Sequence, residues 1–188
     1  MKHAIFLDLR GRPVVVIGGG AVAERKIESL LDAGARVTVI APDVTDLIAR
    51  WTDAQRVRLE RRRYLAGDLA GAQLAYAATD DEAANHAVRE EASARGVWLN
   101  VADQPQSCDF FAPAVVQRGR VAIAISTDGA SPALAARLRE RLDADLPAGL
   151  DRLVDELAEL RERCRREGRP LSEVRERVER MIDDVLRK

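Results

Sequence analysis

The sequence lacks the features of a secreted or membrane-bound protein. Its 188 residues include only two cysteines, Cys108 and Cys164, which lie far apart and show no paired spacing. Such sparse cysteine fits a reducing compartment better than a disulfide-linked fold. No apolar run reaches the length of a membrane span, and the run at residues 5–9 is too short for a signal peptide. We therefore expect a cytoplasmic protein that does not enter a membrane.

A strong charge of either sign is also absent. The chain carries 30 basic and 31 acidic side chains, for a formal net charge of -1. Because the net charge is close to zero, we expect neither nucleic-acid binding nor attraction to an anionic membrane surface. Histidine is equally scarce, and His3 and His86 have no partners at metal-ligand spacing. We interpret both as structural residues and predict no resident metal site.

What the sequence does contain is an apolar run, residues 14–17, that breaks into three glycines and then into a helical pattern. In a dinucleotide-binding loop, Gly18 permits the tight turn, and Gly20 lets the backbone approach a pyrophosphate at the helix N-terminus. Ala23 stands where the third small residue of that motif is expected. The same glycines also fit an ordinary turn between a strand and a helix. The predicted cofactor-binding residues of this loop are Gly18, Gly19, Gly20, Ala21 and Val22.

An acidic residue follows the second predicted strand, which covers residues 36–41. Asp43 comes just after that strand, beside Pro42, where a carboxylate can accept hydrogen bonds from an adenosine ribose. Residues 41–46 contain no Lys or Arg to bind a 2′-phosphate, which favours NAD over NADP. We therefore predict that Pro42 and Asp43 bind the cofactor. The alternative is that Asp43 only N-caps a helix at residues 44–51.

Two later strands also end in polar residues. One buried strand is followed by Thr79 and Asp80, and the next strand is followed by Asp103. Ligands of parallel α/β sheets bind outside the carboxyl ends of the strands. Thr79 and Asp80 are therefore predicted beside the cofactor, with Asp103 facing the same crevice. The alternatives are that Asp80 or Asp81 only N-caps the helix at residues 82–95, and that Asp103 is a turn residue.

The second half of the chain changes character. Two short strands within residues 114–125 form a predicted hairpin, and a turn at residues 126–131 leads into a helix with Ser131 as N-cap and Pro132 in its first turn. That helix N-terminus is a second candidate anion site. Two amphipathic helices follow from residue 146. Their apolar faces need a partner, which is either a second subunit or, as an intramolecular helical hairpin, this chain itself.

These patterns predict an α/β fold: a Rossmann-like parallel sheet domain, a small α+β central segment and a helical C-terminal tail. The predicted boundaries place a NAD-binding domain at residues 1–112 and a central segment at residues 113–145. The helical domain covers residues 146–188.

Four stretches together resemble a known family. They are residues 18–26, 78–81, 100–103 and 126–132. In this order they look like the dehydrogenase module of siroheme synthases, the precorrin-2 dehydrogenase and sirohydrochlorin ferrochelatase family. The resemblance covers residues 5–146, and four motifs in register are far more specific than one glycine loop.

The resemblance implies NAD-dependent oxidation of precorrin-2 to sirohydrochlorin, a step in siroheme biosynthesis. The family's acidic residue in its Asn-Val-x-Asp motif corresponds to Asp103, which is thereby implied as the catalytic base or orienting group. A serine phosphorylated in some members corresponds to Thr127 here, so we do not carry that regulation over. The residues implied for substrate binding are Asn100, Ser126, Thr127, Gly129 and Ser131.

Further expectations follow from the family. Some members also insert ferrous iron into sirohydrochlorin, which makes Fe²⁺ a second candidate substrate, although Cys108 and Asp109 show no recognisable metal spacing. Members are typically homodimers through their central and C-terminal parts, so the resemblance implies a homodimer here, with residues 113–145 as the segment for dimerisation and substrate binding. The sequence shows no counterpart of the methyltransferase domain that some members carry, so we do not expect it to make precorrin-2. The alternative function is a non-catalytic NAD(H)-sensing module.

Overall fold

The apolar run after Pro13 forms the central strand of a parallel sheet. In the computed structural model, which describes residues 3–187, this strand is β1 (Pro13–Ile17), and its valine and isoleucine side chains are all buried. β-Branched residues suit a pleated strand, and a strand buried on both faces needs them without interruption. Val14 and Val16 face one hydrophobic cluster, while Val15 and Ile17 face the other.

Four more parallel strands complete this sheet. They are β2 (Arg36–Ile40), β3 (Val57–Glu60), β4 (Leu74–Ala77) and β5 (Trp98–Val101). The spatial order is β3-β2-β1-β4-β5, because the chain runs outward from β1 to β3 and then crosses to the other side of β1. Such a reversal leaves a crevice at the carboxyl ends of β1 and β4, where α/β proteins bind ligands.

Helices cover both faces of the sheet. They are α1 (Ala21–Asp32), α2 (Asp46–Asp53) and α3 (Glu82–Arg95). Ile27 of α1 and Ile48 of α2 pack into the cluster on one face, while Val88 of α3 packs into the cluster on the other. Gly96 ends α3 in the left-handed conformation, with φ +68.

The start of α2 differs from the sequence prediction. The helix was expected over residues 44–51 with Asp43 as its cap, but it begins at Asp46 and Thr45 is its N-cap. The Thr45 hydroxyl oxygen accepts the Ile48 N–H at 3.4 Å. The capping alternative for Asp43 is therefore wrong, because a threonine two residues later fills that role.

The chain divides into two compact units after Ala112. The second unit consists of an antiparallel hairpin and three helices: β6 (Ala114–Arg118), β7 (Val121–Ile125), α4 (Pro132–Asp145), α5 (Leu150–Arg166) and α6 (Arg175–Leu186). α4 packs on β6, and α5 contacts both β7 and α6. Ser131 caps α4, since its hydroxyl oxygen accepts the Leu134 N–H at 3.2 Å. The predicted hairpin and Ser131 cap are confirmed.

The predicted fold class is confirmed as a parallel α/β sheet followed by a small antiparallel segment and a helical tail. Among residues 3–187, no helix is both long and apolar enough to cross a lipid bilayer.

Candidate active site

Gly18 turns the chain at the carboxyl end of β1. Its φ is +113, and its N–H donates to the Ile40 carbonyl at 3.0 Å. A Cβ atom at this position would lie 2.0 Å from the Ala78 carbonyl oxygen, so the backbone after β4 leaves no room for a side chain. Glycine is required here by the positive φ and by the close approach of two strand ends.

Gly19 is constrained by the loop that follows β2. A Cβ atom here would lie 2.1 Å from the Asp43 carbonyl oxygen, and the Gly19 carbonyl accepts the Thr45 N–H at 3.0 Å. The Thr45 hydroxyl also donates to Glu24 of α1 at 2.5 Å. These contacts join the glycine loop to the segment where the adenosine ribose was predicted.

Gly20 is exposed and leads into α1, and nothing lies within 4 Å of the place its Cβ would occupy. No side chain among the described residues caps α1, whereas Thr45 caps α2 and Asp81 caps α3. The N–H groups in the first turn of a helix, here those of Ala21 and Val22, carry partial positive charge and have no partner within the helix. The open approach and the uncapped helix end fit a bound pyrophosphate.

Pro42 and Asp43 are exposed just beyond the carboxyl end of β2. Within the part of the chain that the structure describes, the Asp43 carboxylate has no hydrogen-bond or ion-pair partner. Because Thr45 caps α2, this carboxylate remains free to accept hydrogen bonds from a ligand. Its role toward a ribose stays a prediction.

The end of β4 resolves the capping alternatives for the two aspartates that follow it. Asp81 is the N-cap of α3, since its Oδ1 accepts the Ala84 N–H at 3.0 Å. Asp80 is exposed and does not cap the helix. The Thr79 hydroxyl oxygen accepts the Asp81 N–H at 3.2 Å, and the Thr79 carbonyl accepts a hydrogen bond from the buried Asn85. Thr79 and Asp80 thus lie next to Ala78, which contacts the glycine loop.

Asp103 lies at the same edge of the sheet. The ladder between β4 and β5 continues beyond the strands, because Ala102 N–H donates to the Ala77 carbonyl at 2.9 Å. Asp103 then takes a positive φ of +56 and is exposed. This backbone conformation is uncommon for residues other than glycine, although aspartate tolerates it better than most. The structure therefore places an exposed carboxylate directly after β5.

The loop that carries Asp103 is tied back to the sheet. Asp109 accepts the Leu99 N–H at 2.9 Å and pairs with Arg89 of α3, also at 2.9 Å. The half-buried Cys108 sulfur accepts the Val101 N–H at 3.2 Å. Cys108 and Asp109 thus hold the loop in place, a structural role that the sequence did not indicate for Asp109.

A lysine that sequence reasoning missed lies beside this loop. Lys26 of α1 donates from Nζ to Asn100 Oδ1 at 3.0 Å, and Nζ lies 5.0 Å from the centre of the Tyr76 ring. Phe110 packs its ring edge-on against Tyr76, with centres 5.3 Å apart. Burial raises the pKa of Tyr76 to about 12, so its neutral ring presents a π-face to the ammonium.

Asn100 has a different position from the one expected of a substrate-binding residue. It is only 6% exposed, and its Nδ2 donates to the Phe110 carbonyl at 2.9 Å while its Oδ1 accepts from Lys26. Both ends of the amide are thus used within the protein. Its predicted contact with substrate remains untested, and the geometry favours a positioning role for Asn100 toward Lys26 and Phe110.

The predicted substrate-binding turn of the second unit is held by its own hydrogen bonds. The Thr127 hydroxyl accepts the Ser131 N–H at 3.1 Å and donates to the Ser131 carbonyl at 3.0 Å. The Ser126 hydroxyl oxygen accepts the Asp128 N–H at 3.1 Å, and Gly129 has a φ of +82. The turn is therefore preformed, and the roles of Ser126, Thr127, Gly129 and Ser131 stay predictions.

Among residues 3–187, no group of three or more His, Cys, Asp or Glu side chains is arranged to hold a metal ion. The candidate functional residues of the first unit line a crevice of the kind that binds dinucleotides. The glycine loop, the ends of β2 and β4, and the loop after β5 all lie along one edge of the sheet.

Comparisons with known proteins point to one family. Residues 5–114 match a family model described as "Putative NAD(P)-binding", and residues 118–144 match the model of the central domain of sirohaem biosynthesis proteins. Among solved structures, SirC, a precorrin-2 dehydrogenase, superposes with a TM-score of 0.84 and 34% identity, covering 99% of this chain and 92% of that one.

Curated relatives give the same result. A siroheme synthase from Methylococcus capsulatus is 46% identical over 161 residues, which is 86% of this chain and 34% of that protein. Siroheme synthase 2 from Klebsiella pneumoniae is 41% identical over 183 residues, which is 97% of this chain and 40% of that protein. The chain thus spans two fifths or less of the length of these two relatives.

Proposed function

Because the chain belongs to the precorrin-2 dehydrogenase family of siroheme biosynthesis, we propose that it oxidises precorrin-2 to sirohydrochlorin with NAD⁺ as hydride acceptor. The observation that carries the proposal is the exposed Asp103 carboxylate, which lies on the same sheet edge as the uncapped glycine loop. A dinucleotide site alone needs only the loop. A dehydrogenase also needs a group that handles the proton beside the cofactor.

The cofactor site uses the features that the glycine loop provides. The N-terminus of α1 would hold the pyrophosphate, because Gly20 leaves space there and the first-turn N–H groups are free of side-chain caps. The free carboxylate of Asp43 would accept hydrogen bonds from the ribose hydroxyls. A carboxylate at this place favours NAD over NADP, because it would repel a 2′-phosphate. Thr79 and Asp80 flank the cofactor farther along the edge. The full proposed set is Gly18, Gly19, Gly20, Ala21, Val22, Pro42, Asp43, Thr79 and Asp80.

The reaction removes a hydride and a proton from precorrin-2. When bound, NAD⁺ would supply the hydride acceptor and be reduced to NADH, and the proton would pass to the medium through a basic group at the site. We assign this role to Asp103, which can accept the proton or orient the ring for its loss. Cys108, Asp109 and Asn100 contribute by fixing the loop and its surroundings. In the second unit, Ser126, Thr127, Gly129 and Ser131 are proposed to contact the substrate's carboxylates.

The test compares Asp103→Asn with the unmodified chain. Asparagine keeps the size of the side chain and tolerates the positive φ of +56, whereas alanine would also strain the backbone. We expect turnover of precorrin-2 and NAD⁺ to fall about 100-fold or more, the usual contribution of a general acid or base. NAD⁺ binding and melting temperature should stay unchanged.

Asp53→Asn is the matched control, since Asp53 is an exposed carboxylate at the end of α2. It should keep full activity. The absence of turnover by the unmodified chain, together with tight NADH binding, would instead support the NAD(H)-sensing module. Wild-type turnover by Asp103→Asn would remove Asp103 from the mechanism while leaving the dehydrogenase intact.

Three further proposals follow from the family. Fe²⁺ is a second substrate, inserted into sirohydrochlorin, and an anaerobic assay of iron insertion tests this directly. The protein acts in the cytoplasm. It works as a homodimer, which the small core of the second unit supports: among the described residues of that unit, the buried apolar side chains are Val116, Ala135, Leu153, Leu160 and Cys164.

A further inference from the structure

Lys26 differs from the other cations of this chain. Of the 30 basic residues, only three are lysines, and the other two are Lys2 and Lys188 at the chain ends. Lysine carries a compact charge with three N–H donors, whereas arginine presents a broad planar fork. Lys26 is also half-buried in the first unit, although cations are usually exposed.

The protein satisfies only part of the bonding capacity of the Lys26 ammonium. One N–H goes to Asn100, and the face of the Tyr76 ring takes a second contact. In the described part of the chain, no carboxylate lies within ion-pair distance of Nζ. At least one donor of a partly desolvated cation therefore remains without an anionic acceptor.

The electrostatic surroundings are mixed. Burial lowers the pKa of Lys26, and the neighbouring Arg25 on α1 lowers it further. Cys108 and Asp103, both in the loop after β5, oppose this effect through attraction at longer range. Tyr76 on β4 is neutral and offers only its ring. An ammonium in this state gains more from a carboxylate ligand than a fully hydrated one does, because part of its hydration is already lost.

The position of Lys26 separates it from the cofactor's phosphates. It lies six residues beyond Gly20, which is about 9 Å along the axis of α1 at the rise of an α-helix. The pyrophosphate is expected at the first turn. Lys26 instead reaches Tyr76 and Asn100, which are paired in register near the ends of β4 and β5. Those two strands lead to Asp80 and Asp103.

We propose that Lys26 binds a carboxylate side arm of the tetrapyrrole and so places the ring beside Asp103. Asn100 and Tyr76 hold the ammonium in position from the protein side. The proposal rests on the proposed function, since precorrin-2 and sirohydrochlorin both carry several carboxylate side arms. Lys26 is then a substrate-binding residue that sets the position of the ring, while Asp103 handles the proton.

The test measures binding of sirohydrochlorin, the product, by its absorbance change in the absence of NAD⁺. Lys26→Met keeps the length of the side chain and its packing on Tyr76 but removes the charge. We expect the dissociation constant to rise about tenfold to a hundredfold, as for loss of a charge-assisted hydrogen bond. In turnover, KM for precorrin-2 should rise more than kcat falls, and NAD⁺ binding should not change.

Arg25→Met is the matched control, because Arg25 is the exposed cation next to Lys26 on the same helix. It should bind sirohydrochlorin as the unmodified chain does. Unchanged binding by Lys26→Met would overturn the role of Lys26 alone. If the unmodified chain binds no sirohydrochlorin, the proposed function fails, and the Lys26 role fails with it.

A second measurement follows Lys26 in the unmodified chain and uses a variant only to assign its signal. With ¹³C-labelled lysine, the unmodified chain gives three side-chain signals, and Lys26→Arg identifies the one that belongs to Lys26. A bound carboxylate must raise the pKa of that ammonium, so saturation with sirohydrochlorin should shift its titration to higher pH. An unchanged Lys26 titration in the saturated protein would overturn the proposal even if Lys26→Met failed to fold.

Discussion

The three glycines of the loop lack side chains for different physical reasons. Gly18 has a positive φ and contacts the Ala78 carbonyl, and Gly19 contacts the Asp43 carbonyl, so the protein itself excludes a side chain at both positions. Gly20 has an ordinary extended backbone, with φ -82 and ψ -173, and open space around it. The fold itself therefore does not require glycine at this position, and the open space is available to a ligand. The structure thus distinguishes glycines that serve the fold from the one available to a ligand.

This distinction gives a paired prediction. Gly20→Ala should fold with nearly unchanged stability, but its dissociation constant for NAD⁺ should rise about tenfold or more, the loss of roughly one charge-assisted hydrogen bond. Gly18→Ala should lose more than about 2 kcal/mol of stability from backbone strain and overpacking. Calorimetric NAD⁺ titration and thermal melting measure the two effects. Equal NAD⁺ affinity in Gly20→Ala and the unmodified chain would contradict the pyrophosphate site.

The candidate site shows where sequence reasoning works for single residues. Strand ends and glycine spacing locate Asp103 and Asp43, because a parallel sheet brings every strand's carboxyl end to one edge. The same reasoning left capping by Asp43 open as an alternative, since both Asp and Thr are good caps and only the backbone path decides between them. It missed Lys26 because its partners, Tyr76 and Asn100, are distant in sequence. The available signals were the scarcity of lysine and the place of Lys26 at the end of the family-like stretch 18–26.

Among the elements, the connection between β3 and β4 is held by its own ion pair. Arg62 donates two hydrogen bonds to Asp68, at 2.7 and 2.8 Å, and Asp68 also accepts the Leu65 N–H at 2.8 Å. Next to Asp68, the Leu69 side chain is fully buried in the cluster that α3 covers. The Arg62–Asp68 pair therefore fixes a loop whose Leu69 packs against one face of the sheet. Within the run of three arginines at residues 61–63, Arg62 is only half-exposed, whereas Arg61 and Arg63 are exposed.

This pair predicts how stability changes in acid. The hydrogen bonds from Arg62 lower the pKa of Asp68 below its ordinary value. A carboxyl group with a lowered folded pKa contributes stability above its unfolded pKa, and the contribution disappears as pH falls through the folded pKa. Arg62→Met should therefore be less stable than the unmodified chain at pH 7, and the difference should narrow below about pH 4. Urea unfolding at several pH values measures it.

Arg61→Met serves as the control for that series, because Arg61 is the exposed neighbour in the same run. It should follow the unmodified chain at every pH. A stability difference between Arg62→Met and the unmodified chain that stays constant down to pH 2 would show that Arg62 stabilises the loop by packing alone.

Helices and strands were easier to predict than their partners. Continuous valine and isoleucine runs and Gly or Pro boundaries located β1, β2 and α3, since those signals are local. The tail was harder, because amphipathic stripes indicate that a face is covered but not what covers it. In the structure α5 contacts α6, as in the helical hairpin that the sequence allowed as an alternative, yet no described side chain of α6 is buried.

At the scale of the whole molecule, the two units differ in the size of their hydrophobic cores. The first unit has two hydrophobic clusters, one on each face of its sheet; β1, β2 and β4 contribute to both, and the edge strands β3 and β5 contribute to one each. The second unit leaves large apolar side chains exposed, including Val115 on β6 and Leu134 and Leu138 on α4. Leu134 and Leu138 share one face of their helix. An apolar surface of this kind on a thin core is typical of a subunit interface.

The homodimer proposal can be tested through these leucines. Light scattering after size exclusion should give twice the chain mass of 20.7 kDa for the unmodified protein. Leu138→Glu should shift the equilibrium to monomer, because a buried charge at an interface is left unpaired. Leu65→Glu is the control, since Leu65 is 59% exposed in the first unit, and it should stay dimeric. A folded, active monomer of the unmodified chain at micromolar concentration would show that the exposed leucines serve some other purpose.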